Sequence, residues 1–257
     1  MSLVPYDDSD DDQGEVAEAH NEEDQVNKKD KSVQGADKVV YTSLGIVQSE
    51  PIQGDWLCFV FLPLPLESDI VDLLRKCSRF LSRKDLFIDI PSDSVVQQVE
   101  KPHISLTRPI LLRRHECDAL LPIVKEALQT FRKGLFGSVQ RLLIAFSQFA
   151  LLPSEDAKRS YWTAELGQGW DRIQSLTAEL DRVLKSKLHS RKYHDQARFH
   201  TSFAFVDAQP TNDTQDPIRS TVQQLEQRYG TRLRACSAIS INQIGITIGP
   251  KTYYLDL

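Results

Sequence analysis

Two segments of this chain repeat one pattern, and that repeat narrows what the chain can fold into. Pro102-His103-Ile104-Ser105-Leu106-Thr107 and Phe199-His200-Thr201-Ser202-Phe203-Ala204 each place a histidine two residues before a serine. In an extended strand, residues i and i+2 share a face, so each segment presents an imidazole beside a hydroxyl. One His-x-Ser triplet alone is weak evidence, because an isolated strand histidine is more often a core residue. Two triplets at equivalent places in a repeated fold favour a shared phosphodiester-cleaving site.

The apolar pattern predicts the same order of elements in both halves of the chain. The first half reads as a strand at Trp56–Leu62, a helix over 70–81, a short strand at Leu86–Ile90, the first His-x-Ser strand, a helix over 120–131 and a strand within 139–152. The second half reads as a strand over 161–166, a helix over 170–184, the second His-x-Ser strand, a helix from Asp216 to Gly230, and a hairpin of 239–248 with 252–257 around Gly249-Pro250. The two motif histidines are 97 residues apart, as are Ile144 and Ile241.

These offsets indicate a diverged internal repeat of about 54–152 and 160–257 within one domain over 39–257. Because hairpins replace uniform strand–helix alternation, we predict an α+β fold. It would have two pseudo-symmetric lobes, with antiparallel-rich sheets facing a central cleft and helices outside.

Charge is distributed unevenly along the chain. The net charge is −5, but residues 1–38 carry −8 and the remaining residues carry +3. The acidic segment holds almost no large apolar residues, so we expect residues 1–38 to form a disordered tail. The folded part is mildly basic, which permits a polyanionic partner without requiring one.

Composition also bears on the compartment and on metal chemistry. No stretch has the apolar length of a membrane span, and the N-terminus lacks the basic-then-apolar order of a signal peptide, so we expect an intracellular, soluble protein without membrane contact. The cysteines are scattered, and no two make a Cys-x-x-Cys pair. We therefore expect reduced structural thiols, with no metal site and no cofactor, at Cys58, Cys77, Cys117 and Cys236.

The motif pair resembles the 2H phosphoesterase superfamily, and within it the spliceosomal small nuclear RNA phosphodiesterases. Gly54-Asp55-Trp56 and the terminal Gly-Pro-Lys-Thr-Tyr-Tyr-Leu segment support the likeness, which covers about 54–257. The resemblance implies a nuclear 3′-to-5′ exonuclease that trims the 3′ oligo(U) end of U-six small nuclear RNA. It also implies a 2′,3′-cyclic phosphate product, which some members of the family open with water. We expect a monomer that binds the 3′ end of single-stranded RNA.

The motif residues suit this chemistry. RNA is cleaved when its 2′-hydroxyl loses a proton and the leaving 5′-oxygen gains one, and two imidazoles with ordinary pKa values of about 6.5 can do both. We assign His103 as base and His200 as acid, and pseudo-symmetry leaves the reverse assignment open. Ser105 and Ser202 would donate hydrogen bonds to the non-bridging phosphate oxygens.

Substrate binding requires stacking surfaces and positive charge. Arg191, Lys192 and Tyr193 provide both just before the second motif. The family has a base-stacking aromatic six residues before this histidine, whereas Tyr193 stands seven before His200, so either Tyr193 or His194 would take the base. Trp162, a strand aromatic, is a further candidate for the wall of the cleft.

Two other functions fit the same sequence. A 2H-type 2′,3′-cyclic nucleotide phosphodiesterase would use the same four residues on small substrates. A non-catalytic, RNA-binding spliceosome-associated protein would keep the fold, but it would have no need for both intact His-Ser pairs.

Overall fold

The helices and strands follow the order that the sequence pattern predicts. The computed structural model describes residues 40–41, 47–48, 55–82, 95–134, 142–154, 158–190, 193, 197–208 and 217–257. Residues 37–257 make up one compact unit. The tail predicted over 1–38 and the strand predicted at Leu86–Ile90 lie outside the described residues.

The described part contains four helices and twelve strands. In chain order they are β1 (Val40–Tyr41), β2 (Val47–Gln48), β3 (Asp55–Pro63), α1 (Asp69–Leu81), β4 (Gln97–Gln98), β5 (His103–Ser105), β6 (Ile110–Arg113), α2 (Arg114–Gly134), β7 (Leu142–Pro153), β8 (Ser160–Gln168), α3 (Trp170–Leu188), β9 (His200–Val206), α4 (Pro217–Ala235), β10 (Ile239–Ile241), β11 (Gln243–Ile248) and β12 (Lys251–Asp256). This mixture of helices and antiparallel strands confirms the predicted α+β class.

Ten strands join into one antiparallel sheet that has the two motif strands at its centre. The strand order is β10-β7-β8-β9-β5-β3-β11-β12, while β4 pairs with β9 and β6 pairs with β3. Strand pairing crosses the boundary between the two predicted repeats, because β7 pairs with β8, and β11 pairs with β3. The two halves therefore interlock.

The short connection through Asn242 shows that the sheet curls strongly. β10 lies at one end of the sheet and β11 near the other, yet only Asn242 separates them along the chain. In a flat sheet six strand spacings would hold them roughly 29 Å apart, whereas the two Cα–Cα steps from Ile241 to Gln243 span at most about 7 Å. The prediction of a single strand over 239–248 is thus wrong. The segment forms two strands, of which β10 pairs with β7 while β11 pairs with β3 and β12.

One face of the sheet carries the helices and the main core. Alternate residues of β3, namely Cys58, Val60 and Leu62, belong to this core, together with the apolar faces of all four helices. The other residues of β3, Leu57, Phe59 and Phe61, form a separate apolar cluster on the opposite face. The site described below lies on that second face.

Two local details agree with the sequence predictions. β11 and β12 form the predicted hairpin, in which Gly249 takes a positive φ of 54° and a Cβ would collide with the Trp56 ring. The thiols of Cys58 and Cys77 are fully buried, and burial raises the pKa of each to about 12.

Among the described helices, none has the length and apolarity to cross a membrane.

Candidate active site

The two His-x-Ser segments meet as neighbouring strands at the centre of the sheet. β5 pairs with β9 in antiparallel register at Ile104 and Thr201, and both of these side chains are completely buried. Continuing the register by one residue in each direction places His103 opposite Ser202 and Ser105 opposite His200. Because side chains alternate between faces, all four lie together on the face away from the helices.

Each histidine is oriented by the same local contact. Nδ1 of His103 lies 3.0 Å from the carbonyl oxygen of Lys101, and Nδ1 of His200 lies 2.6 Å from that of Arg198. A carbonyl oxygen only accepts hydrogen bonds, so each Nδ1 carries a proton and donates it. In the neutral ring, Nε2 then carries no proton and can accept one.

His103 lies against aromatic rings. Its ring centroid is 5.3 Å from that of Phe61, in an edge-to-face arrangement, and 6.3 Å from that of Phe59. Only 8% of its surface is exposed. Burial lowers the pKa of His103 to about 4; the hydrogen bond to the Lys101 carbonyl opposes this shift, and the charge of His200 adds to it. His103 is therefore neutral near pH 7, and the two imidazoles are within electrostatic reach of each other.

His200 has a polar and charged neighbour instead. Glu165 on β8 is its cross-strand partner, and this carboxylate is buried. Arg198 donates from Nε to Glu165 Oε1 at 2.7 Å and forms an ion pair with it at 2.5 Å. Gln148 Nε2 donates to the other carboxylate oxygen at 2.6 Å. The two histidines thus share their backbone contact, but aromatic rings lie against His103 whereas a carboxylate lies across the strand pair from His200.

The serines complete the cluster from the neighbouring strands. Ser105 and Ser202 are both partly exposed, so their hydroxyls are accessible on the face that carries the imidazoles. A hydroxyl of this kind can donate to an anionic oxygen held between the two histidines. The cluster therefore provides two proton-transfer groups and two donors around one position.

The two aromatic residues that the sequence predicts as substrate contacts are buried in this structure. Trp162 is fully buried, and its indole Nε1 donates to Thr221 on α4 at 2.7 Å, so it belongs to the core face. Tyr193 is also buried, with its ring stacked on Phe199 at 5.6 Å. Neither ring is exposed in this structure, and a substrate contact of either one stays a prediction. Arg191, Lys192 and His194 lie outside the described residues.

Sequence reasoning missed the residues that make the two sides of the site different. Glu165, Gln148 and Arg198 come together from two strands and the segment that leads into β9. One signal was available, because Glu165 is the charged residue of an otherwise uncharged strand over 161–166. Among the described residues, no group of three or more His, Cys, Asp or Glu side chains has the geometry to hold a metal ion.

Comparison with a solved structure identifies the class of fold. Usb1 of Kluyveromyces marxianus, solved with uridine monophosphate, superposes with a TM-score of 0.57 at 14% identity, over 78% of this chain and 98% of that structure. The chain therefore has the α+β fold of Usb1. The fold predicted from the motif pair is confirmed.

The chain belongs to the HVSL family, described as an uncharacterised conserved protein, whose model matches residues 17–256. It is also 23% identical over 153 residues to U6 snRNA phosphodiesterase 1 of Mus musculus, and 25% identical over 155 residues to that of Homo sapiens. Each alignment covers 60% of this chain, and the chain spans about half the length of these relatives, 51% in both cases. These findings confirm the resemblance to small nuclear RNA phosphodiesterases.

Proposed function

We propose that this protein is a 3′-to-5′ RNA exonuclease that trims the 3′ oligo(U) end of U6 small nuclear RNA. The observation that carries the proposal is the central pair of strands, which gathers His103, Ser105, His200 and Ser202 on one face. Relatives named U6 snRNA phosphodiesterase 1 and a structural neighbour solved with uridine monophosphate support the substrate class. Cleavage proceeds by attack of the 2′-hydroxyl and leaves a 2′,3′-cyclic phosphate, which water then opens or leaves intact.

His103 is the base in this mechanism. Its pKa of about 4 keeps the imidazole neutral near pH 7, and the Lys101 carbonyl holds the proton on Nδ1, so Nε2 accepts the proton of the 2′-hydroxyl. The base must be unprotonated before it acts, and the apolar wall of Phe59 and Phe61 favours that form.

His200 is the acid. It lies opposite a carboxylate across the strand pair instead of against an apolar wall. Its Nε2 gives a proton to the leaving 5′-oxygen. Ser105 and Ser202 donate to the non-bridging oxygens, where negative charge increases in the transition state, and loss of one such donor costs about 10²-fold in rate or more.

Besides Tyr193, Tyr254 on β12 is a candidate for the residue that stacks on a base. Pairing runs from Tyr254 to Gly245, then to Phe61 and Ser105, so Tyr254 stands in the same row as the site. Its side chain is 53% exposed and touches Phe61 edge to face. An exposed ring there can stack on a base of the RNA. Arg191 and Lys192 remain proposed phosphate contacts, and a nuclear monomer remains the proposed working form.

A gel assay with purified protein tests this function. A 5′-labelled single-stranded oligo(U) RNA is incubated in EDTA with the wild type, His103→Ala and His200→Ala. We expect stepwise shortening from the 3′ end, with each variant slower by about 10²–10⁴-fold. Untouched RNA together with opening of a 2′,3′-cyclic nucleotide would favour a cyclic phosphodiesterase. Binding without cleavage of either substrate would favour a non-catalytic RNA-binding protein.

A further inference from the structure

Glu165 is a buried carboxylate that the proposed cleavage does not yet use. It lies on the site face of β8, and 8% of its surface is exposed. Burying a carboxylate is costly unless it is paired and hydrogen-bonded, and here Arg198 and Gln148 satisfy both oxygens. A buried, fully satisfied carboxylate beside a reacting histidine is a costly arrangement, which suggests that it serves the reaction.

The contacts connect Glu165 to His200 by two routes. The direct route is the antiparallel pair of Glu165 with His200, which brings their Cβ atoms to about 4.5–5.5 Å. The indirect route passes through Arg198, whose side chain is tied to Glu165 while its backbone carbonyl accepts from Nδ1 of His200. By fixing the side chain of Arg198, the carboxylate also fixes the carbonyl that sets the tautomer and the tilt of the imidazole.

No comparable arrangement surrounds the other histidine in the described residues. Lys101 supplies the equivalent carbonyl to His103, but the side chains that contact the His103 ring are those of Phe59 and Phe61. Glu165 on β8 and Arg198 before β9 are charged groups beside His200, whereas Gln148 on β7 and, near pH 7, His103 on β5 are neutral. The carboxylate therefore pairs with Arg198, the cation next to His200 in the chain segment that leads into β9.

We propose that Glu165 is a positioning residue which, through Arg198 and across the strand pair, holds His200 as the proton donor to the leaving 5′-oxygen. This inference rests on the proposed RNA cleavage and deepens it. In the proposed step, the bond from phosphorus to the 5′-oxygen breaks as the 2′-oxygen attacks, and the proton on His200 Nε2 passes to the departing oxygen. Glu165 touches neither atom.

A substrate with a sulfur leaving group tests the assignment. In a 5′-bridging phosphorothiolate the departing group is a thiolate, whose conjugate acid has a pKa of about 8.5, so it needs no proton from an acid. Glu165→Gln keeps the shape of the side chain and removes its charge. We expect kcat on ordinary RNA to fall about 10-fold or more, and kcat on the phosphorothiolate substrate to change less than about 2-fold. His103→Ala should remain slow on both substrates, because the base is needed in each case.

Two further variants keep the test decisive. Arg198→Gln breaks the same ion pair from a side chain that is 55% exposed, so we expect the variant to fold and to show the same dependence on the leaving group. Glu179→Gln is the matched control, since it breaks a similar ion pair with Arg182 on α3 and should leave both rates unchanged. Equal losses on both substrates would overturn the role of Glu165. A wild type that cleaves neither substrate would instead overturn the proposed function.

Discussion

At the scale of single residues, the two histidines of the site are alike in their backbone contacts and different in their surroundings. His103 and His200 each donate from Nδ1 to the carbonyl two residues earlier. Aromatic rings bury His103, whereas a buried carboxylate faces His200. The local sequence predicts the shared feature, because both histidines lie in the same motif. The difference arises from residues far away along the chain, so it could not be predicted from the motif.

Burial of His103 makes a prediction about folding stability. The unfolded chain takes up a proton on this histidine as pH falls below about 6.5, but the folded protein does not do so until pH falls to about 4. The free energy of unfolding should therefore decrease between these pH values. At pH 5 the loss should be about 2 kcal/mol relative to pH 7. Urea denaturation at the two pH values should show this loss in the wild type and a smaller one in His103→Gln. Equal losses in both proteins would contradict the burial of a neutral imidazole.

At the scale of elements, the alternation of side chains between the two faces of a strand is the sequence signal that helps to predict the site. It predicts which residues of β5 and β9 share a face, and the apolar spacing predicts the four helices and the terminal hairpin. Alternation does not say which strands become neighbours. The pairing of Glu165 with His200 and the break at Asn242 depend on contacts between distant segments. For the same reason, the burial of Tyr193 against Phe199 was not evident in a segment that reads as a polar loop.

Adjacent tyrosines on β12 give a matched test of strand alternation. Tyr254 is paired with Gly245 and shares the face of the site, whereas Tyr253 is paired with Ile246 and points to the other face. Tyr254→Ala should raise KM for oligo(U) by about 5- to 150-fold, as expected for a lost stacking contact of roughly 1–3 kcal/mol, with a smaller change in kcat. Tyr253→Ala, a change of equal size on the same exposed strand, should leave KM nearly unaltered. Similar effects of the two substitutions would show that β12 contributes only to stability.

At the scale of the whole molecule, the interlocked halves explain why the site has its position. The last strands of the chain pair with β3, and β7 pairs with β8, so neither half holds its own sheet. Curling of the sheet leaves the helices on one face and the histidines on the other. The sequence predicts two related halves, but it predicts each as a separate lobe. The exchange of strands could not be predicted because the alternation along a strand does not specify its partner strand.

One measurement tests the central claim most directly, namely that two histidines use the 2′-hydroxyl of RNA to cleave the next linkage. The substrate is an oligo(U) with a single 2′-deoxy nucleotide placed on the 5′ side of its third linkage from the 3′ end. The account predicts removal of two nucleotides and then a complete stop, because the attacking hydroxyl is missing at that linkage. Continued shortening past the deoxy nucleotide would contradict the account, since water would then have to be the nucleophile.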